Sequence, residues 1–369
     1  KAARCTGRCE YGAAAMKGRI GAKEIWASVL VSLIGRLVFL DPVTFVSQPG
    51  QSAWMMPLIA LPIGLFMLLL AKKLSAYGDP AACAQRVLGT GLGRAVIVLW
   101  GVWLTLLMAI SVGKMISVTR YYFFPLTDIS QTALLYVVPM CLIAFGGAVC
   151  IARSARLVWC IPFVALLVLV GANLPNMDWS NVSPVMGAGL WPTVRAGLMF
   201  STAFWTVLCV WFWSHETHMQ KPTVRASCWA LVFSSVLLSA IMLCMTASMG
   251  TSAYQNTVSP LYTIASNIDL GRFLQRMGPL FFFCWSISTF VSGAFALQIA
   301  SQGIGQVLGT KDQRPIIAGL SAMILIVSIL MIHGAMALVA NYLVAFGAVV
   351  TPGLLAVVWA VSKIRRLKP

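Results

Sequence analysis

Charge is scarce in this chain, and acid is scarcer still. Charged residues make up 9% of 369, with nine acidic residues and three histidines. A soluble domain carries about 25% charged residues, so this inventory is too small to cover a water-facing globule. Alternation of apolar and polar residues is missing too, which excludes the strands of an outer-membrane barrel. The shortage of acid and histidine removes most catalytic chemistry. No Ser–His–Asp set can be assembled, and no glycine-rich phosphate loop follows a strand. His215-Glu216-Thr217-His218 spaces its histidines three apart, unlike the i, i+4 pair of H-E-x-x-H, and reads as a solvated interfacial loop. The ten cysteines make no disulfide framework: Cys141, Cys150, Cys160, Cys209, Cys228, Cys244 and Cys284 stand singly in or beside apolar runs, where cysteine acts as a small hydrophobe. Cys5-x-x-x-Cys9 offers two metal ligands and no partners for them. No enzyme, cofactor or metal is expected.

What the chain has is length and apolarity. Hydrophobic residues make up 60%, and a membrane span needs about 20 of them in a row. Ten segments qualify: Glu24–Phe45, Ala53–Ala71, Ala95–Val118, Gln131–Ile151, Leu157–Leu174, Ala196–Trp213, Ala226–Met249, Pro279–Val307, Pro315–Ile332 and Asn341–Val361. The reading is an all-α polytopic membrane protein of about ten transmembrane helices.

Basic residues give the orientation, because short loops rich in Lys and Arg stay cytoplasmic. The N-terminal segment, alternate loops (Lys72, Lys73, Arg86, Arg94; Arg153, Arg156; Lys221, Arg225; Lys311, Arg314) and the C-terminus hold 20 of the 26 basic residues. Both termini are therefore expected in the cytoplasm. The net charge of +17 is a topology signal. It is dispersed, with no soluble domain to display it, so no nucleic-acid partner is expected. Residues 1–15 contain no apolar run. They are expected to be a non-native or disordered extension, with Met16 as the natural start and one permease-like domain over 16–369. No cleavable signal peptide is read.

Two external loops are long, Pro175–Pro192 and Gly250–Gly278, the second with Leu270–Phe273 as a short interfacial helix. Such loops serve as lids or as an ordinary outer cap.

Polar groups inside the spans are the functional signal, since they are expensive there and commonly line cavities. Arg36 lies 13 residues beyond Lys23, about 20 Å along the helix. It sits in Leu33-Ile34-Gly35-Arg36-Leu37-Val38-Phe39-Leu40-Asp41-Pro42, where glycine and proline both weaken a helix. A broken helix near the midplane is a common transporter substrate site. A pair with Asp41, or carbonyls of a neighbouring helix, would equally satisfy Arg36. Lys114 lies nearer the outer end and can snorkel. The eighth span carries Ser286, Thr289, Gly293 and Ala300 on one face with Ser288 and Ser292 beside it, a stripe that permits close packing or ligand contact. Gly303-x-Gly305 reads as packing or fraying. The sixth span, Phe200 to Thr206, has hydroxyls and aromatics but no Gly or Pro to break it. Away from the cytoplasmic ends, Asp41 is the one acid within a span, which argues against proton coupling through a buried carboxylate.

Several motifs together resemble a known family. They are Ile34-Gly35 through Leu40 and Pro42; Phe123-Phe124-Pro125-Leu126-Thr127-Asp128; Gly147 through Ala152-Arg153 to Pro162; and Ser259-Pro260-Leu261 followed by Ile268 and Gly271-Arg272-Phe273-Leu274-Gln275-Arg276. From about Gly18 to Lys368 the chain resembles the spore germination permeases. These are the B subunits of germinant receptors, within the amino acid–polyamine–organocation superfamily. Asp128 stands where that family usually has proline, and Arg36 and Asp41 are unusual for its first helix. The resemblance implies two inverted five-helix repeats (a LeuT-like fold) and a ligand pocket between helices one, three, six and eight. Carried over by position, the candidates are Gly35, Arg36, Ile110, Ser111, Trp205, Thr206, Ser288 and Thr289. It also implies a spore inner membrane, a small nutrient germinant such as an amino acid, and a complex with an A-type membrane subunit and a C-type lipoprotein. Three roles stay open: a germinant sensor, a secondary amino-acid transporter, and a scaffold subunit that binds nothing.

Overall fold

The computed structural model describes residues 19–36, 49–217, 220–268, 277–332 and 336–365. Eight helices among them are long and apolar enough to cross a bilayer. In the order of the chain these are spans two (Gly50–Ser75), three (Thr90–Tyr122), five (Gly147–Asn176), six (Leu190–Phe212), seven (Lys221–Tyr254), eight (Gly278–Leu308), nine (Arg314–Ile332) and ten (Ala340–Ile364). Ile129–Phe145, shorter but apolar, is span four. Ala22–Ile34 is span one, and it runs to the edge of the described residues. Among the described residues strand pairing is confined to one isolated bridge, Ile20 with Thr217. The protein is an all-α polytopic membrane protein, and its described residues contain the ten helices expected.

The packing has an internal symmetry. Span one packs on span seven as span six packs on span two. Span three packs on span nine as span eight packs on span four, and span one on span five as span six on span ten. Adding five to each span number converts one contact into the other. Because five is odd, the second set enters from the opposite side of the membrane, so the repeats are inverted. Span one also packs extensively on span eight, a contact outside this pattern.

Local chemistry explains the boundaries. Span one starts where the Glu24 carboxylate accepts the Gly21 backbone N–H, the one half of a capping box that a glycine N-cap allows. Gly147 adopts a left-handed φ of 76°, which only glycine takes cheaply. It ends span four at Phe145, short of the expected Ile151, and span five begins there, earlier than the expected Leu157. In span seven Gly250 leaves helical geometry, one residue past the expected end at Met249. The eight described cysteines are all free thiols.

Contacts gather the basic segments at one end. Arg156 on span five reaches Glu24 at 3.3 Å, and Arg365 donates to the Arg86 carbonyl at 3.4 Å. At the other end, Pro175–Pro192 is an ordered cap: the Asp178 N–H and the Asn181 side chain both donate to the Ala247 carbonyl. The helix Pro260–Ser266 lies within the second long loop, and Tyr122 stacks on its Tyr262 at 4.1 Å. The expected helix at Leu270–Phe273 falls outside the described residues, as do Cys5, Cys9, Asp41, Pro42 and the 1–15 extension.

Candidate binding site at the crossing of spans one, six and eight

Span one loses α geometry where the sequence expects a break: Ile34 is the last α residue, and Gly35 and Arg36 are in 3₁₀ geometry. The crossing with span eight requires glycine at 35. A Cβ there would lie 2.7 Å from the Ser288 carbonyl oxygen and 2.8 Å from Ser292 Cβ, closer than atoms can pack. One turn earlier, Ser32 and Ser292 exchange a hydroxyl hydrogen bond at 3.3 Å. This contact brings Arg36, fully buried, into the middle of the bundle.

Span six is interrupted within its length, which its sequence does not announce. Ser201–Leu208 is a 3₁₀ segment of eight residues between two α pieces. Runs beyond three or four residues are uncommon and often mark a functional hinge. The segment is held from outside: the Thr202 hydroxyl donates to the Val344 carbonyl of span ten at 2.8 Å. Without glycine or proline, tertiary packing sets this geometry. It takes the position in the second repeat that Gly35-Arg36 takes in the first.

The 3₁₀ end of span one and the 3₁₀ segment of span six meet. The Arg36 guanidinium lies over the Trp205 ring, 4.7 Å from its centroid, a cation–π geometry. Trp205 also packs on Phe295 of span eight at 5.5 Å, and Phe295 takes Trp213 edge-on at 4.7 Å. Among the described residues the Trp205 indole N–H and the Thr206 hydroxyl are buried with no hydrogen-bond partner. Buried polar groups are normally satisfied, so these two are natural points for a guest molecule.

The expected site residues divide into two sets. Gly35, Arg36, Trp205 and Ser288 come together. Thr206 is buried beside Trp205, and Thr289 is buried with its hydroxyl donating to Trp285 of its own helix. Ile110 and Ser111 are buried on span three, where the Ser111 hydroxyl turns back to the Leu107 carbonyl at 3.4 Å. The polar stripe of span eight serves two partners. Ser288 and Ser292 face span one, whereas Gly293 meets Met140 of span four. Gly303 packs against Ile97 and Phe212, so its role is packing. Sequence reading missed Ser32, Phe295 and Gln302. The Gln302 amide donates to the Phe212 carbonyl at the end of span six, and an amide inside an apolar run was its one visible signal.

Beyond span six, His215 pairs with Asp79 at 2.9 Å, and the Glu216 carbonyl accepts the Ile20 N–H at 2.7 Å. Burial pushes the Glu216 carboxyl above its usual range, partly offset by His215. No cluster suited to a metal ion occurs among the described residues.

Transporters are among the solved structures with this arrangement of helices. Mhp1, a nucleobase-cation-symport-1 family transporter in a closed conformation with bromovinylhydantoin bound, is 14% identical with a TM-score of 0.69, over 95% of this chain and 80% of that one. A substrate-bound Na+-coupled sialic acid symporter is 12% identical with a TM-score of 0.63, over 92% and 78%. At such identity the likeness shows the fold, that of the LeuT-type transporters. Among curated proteins, spore germination protein KB of Bacillus subtilis (strain 168) is 21% identical over 328 residues, 85% of each chain. Spore germination protein A2 of the same organism is 18% identical over 200 residues. That match spans 54% of this chain and about half (55%) of the relative. The family profile described as spore germination protein matches residues 19–356, and the chain belongs to that family.

Proposed function

We propose that this protein is the membrane subunit of a germinant receptor, sensing a small nutrient with an anionic group at the crossing of spans one, six and eight. The observation that carries the reading is Arg36 over Trp205, where the 3₁₀ end of span one meets the interruption of span six. A guanidinium holds a carboxylate in a two-pronged geometry that lysine lacks. The unpartnered Trp205 N–H and Thr206 hydroxyl would add directional donors. Ile110, Ser111 and Thr289 would complete the wall from spans three and eight.

The site is shut. Arg36, Trp205, Thr206, Ser288 and Thr289 are each 1% exposed or less. A ligand enters only if the bundle opens, so binding and conformational change are coupled. It shifts that equilibrium by its difference in affinity for the two states. Such coupling suits a sensor. Family membership supports the spore inner membrane as its place, and an A-type membrane subunit and a C-type lipoprotein as partners. The basic end that gathers Lys23, Arg86, Arg156 and Arg365 supports cytoplasmic termini.

The second reading is a secondary transporter, favoured by the transporter fold. One experiment separates both from a scaffold role. The purified protein in lipid nanodiscs is screened by thermal shift against amino acids, sugars and nucleosides, and any hit is tested for flux into proteoliposomes. A sensor binds without flux, a transporter does both, and a scaffold does neither. Charge-assisted contacts contribute about 1.5–3 kcal/mol. Arg36→Lys should therefore weaken an anionic hit about tenfold, and Arg36→Gln about a hundredfold. Equal affinity in wild type and folded Arg36→Gln would assign Arg36 a structural role.

A further inference from the structure

A cavity of about 660 Å³ opens at the basic end, between the starts of spans one and seven and the Arg156–Trp159 stretch of span five. Its charged wall comes from three separate spans: Lys23, Arg156 and Arg225. The carboxylate in contact with this wall is Glu24, which accepts Arg156 at 3.3 Å and the Gly21 N–H. Three cations against one acid leave the wall positive.

The other wall is aromatic. Trp26, Trp159 and Trp229 line it, with Trp26 and Trp159 edge to face at 5.1 Å. The rings continue away from the charges. Trp159 packs on Phe163 at 6.0 Å, and Phe163 on Phe233 at 5.3 Å. Trp229 and Phe233 are 59% and 40% exposed, on spans whose outward faces meet hydrocarbon. Indole rings prefer the headgroup level of a bilayer, which places the cations among the phosphates and the phenyl rings among the acyl chains.

From this we infer that the groove is a binding site for an anionic phospholipid. The head phosphate lies between Lys23, Arg156 and Arg225, and an acyl chain runs along Phe163 and Phe233. Charge complementarity selects the headgroup, and the continuous aromatic track selects a lipid over a soluble phosphate, which would use only the mouth. Bound there, one lipid bridges three spans at the end where span one begins. The site is separate from the crossing at Arg36 and stands whether or not that crossing binds a nutrient.

Native mass spectrometry of the purified protein, titrated with equimolar phosphatidylglycerol and phosphatidylcholine, tests this. Phosphatidylglycerol should be retained preferentially. A juxtamembrane cation changes affinity for anionic lipid by roughly fivefold, so the Lys23→Gln/Arg225→Gln double variant should lose about 25-fold. The control pair Lys311→Gln/Arg314→Gln, at another connection, should retain full selectivity. Inorganic phosphate should fail to displace the bound lipid. Equal retention of the two lipids would overturn the site. So would an equal loss in both double variants, which would indicate diffuse surface charge, or displacement by phosphate, which would indicate an anion site without a lipid.

Discussion

Spans five and eight are both apolar enough to cross a membrane, yet they live in different surroundings. In the most apolar stretch of span eight 78% of residues are buried, against 22% in span five. Span six matches span eight at 78%, and spans nine and ten resemble span five at 33% and 28%. The molecule thus has an inner group of helices and an outer ring. Lipid tails are as apolar as leucine, so apolarity alone does not sort helices inward. Small and hydroxyl residues do. Span eight has Ser286, Ser288, Ser292 and Gly293 buried against neighbours, whereas span five turns Val164, Leu167 and Val168 outward.

Truncating one large side chain from each group is the strongest way to break this contrast. Trp205→Ala, deep in the inner group, should destabilise by about 3–5 kcal/mol. Leu330→Ala, 66% exposed on span nine, should change stability by less than about 0.5 kcal/mol. Melting curves in one detergent would compare them directly, and equal shifts would dissolve the distinction.

Glycines give a smaller test of opposite sign. Gly35→Ala drives a methyl into the Ser288 carbonyl and should cost about 1–3 kcal/mol. Gly319 on span nine has nothing within 4 Å of an added Cβ. Gly319→Ala should stabilise by up to about 1 kcal/mol through helix propensity. Thermal unfolding of both variants checks the signs.

The smallest effect asks whether the tightness of the inner group extends past the end of span six. Glu216 is half-buried there with one carboxylate oxygen lacking a hydrogen-bond partner among the described residues. Its folded-state pKa lies above the usual 4.5. The folded protein therefore holds the proton more tightly than the unfolded chain. Stability from this group is fully present below the usual value and is lost as pH rises through the raised one. Glu216→Gln should raise the melting temperature near neutral pH, with the gain vanishing in acid. A gain that is constant with pH would tie the effect to packing alone.

Much of this was legible in the residues. Ten apolar runs and one-sided basic loops carried the span count, and Gly35 beside a deep Arg36 carried the loss of α geometry in span one. The interruption of span six was not legible, because Ser201–Leu208 contains neither glycine nor proline and its geometry comes from partners such as Val344, distant in sequence. Ser32 and Phe295 were hidden for the same reason. A serine among many, or a phenylalanine in an apolar helix, acquires its role only when a neighbouring helix arrives. The end of span four was missed because Gly146-Gly147 was read within a continuous apolar run, and the left-handed turn at Gly147 is a backbone property.

The long 3₁₀ stretch of span six has a consequence for distance and direction. A 3₁₀ helix rises about 2.0 Å per residue with 120° between neighbours, against about 1.5 Å and 100° in an α-helix. Over eight residues that is about 4 Å of extra length and roughly 160° of extra turn. Trp211 and Trp213 therefore point almost opposite to where an unbroken α-helix would aim them relative to Phe200. The segment works as a screw thread of different pitch let into the middle of a bolt. Recutting it to the α pitch would draw the two ends together and swing one half-way around the other, with no hinge and no displaced loop.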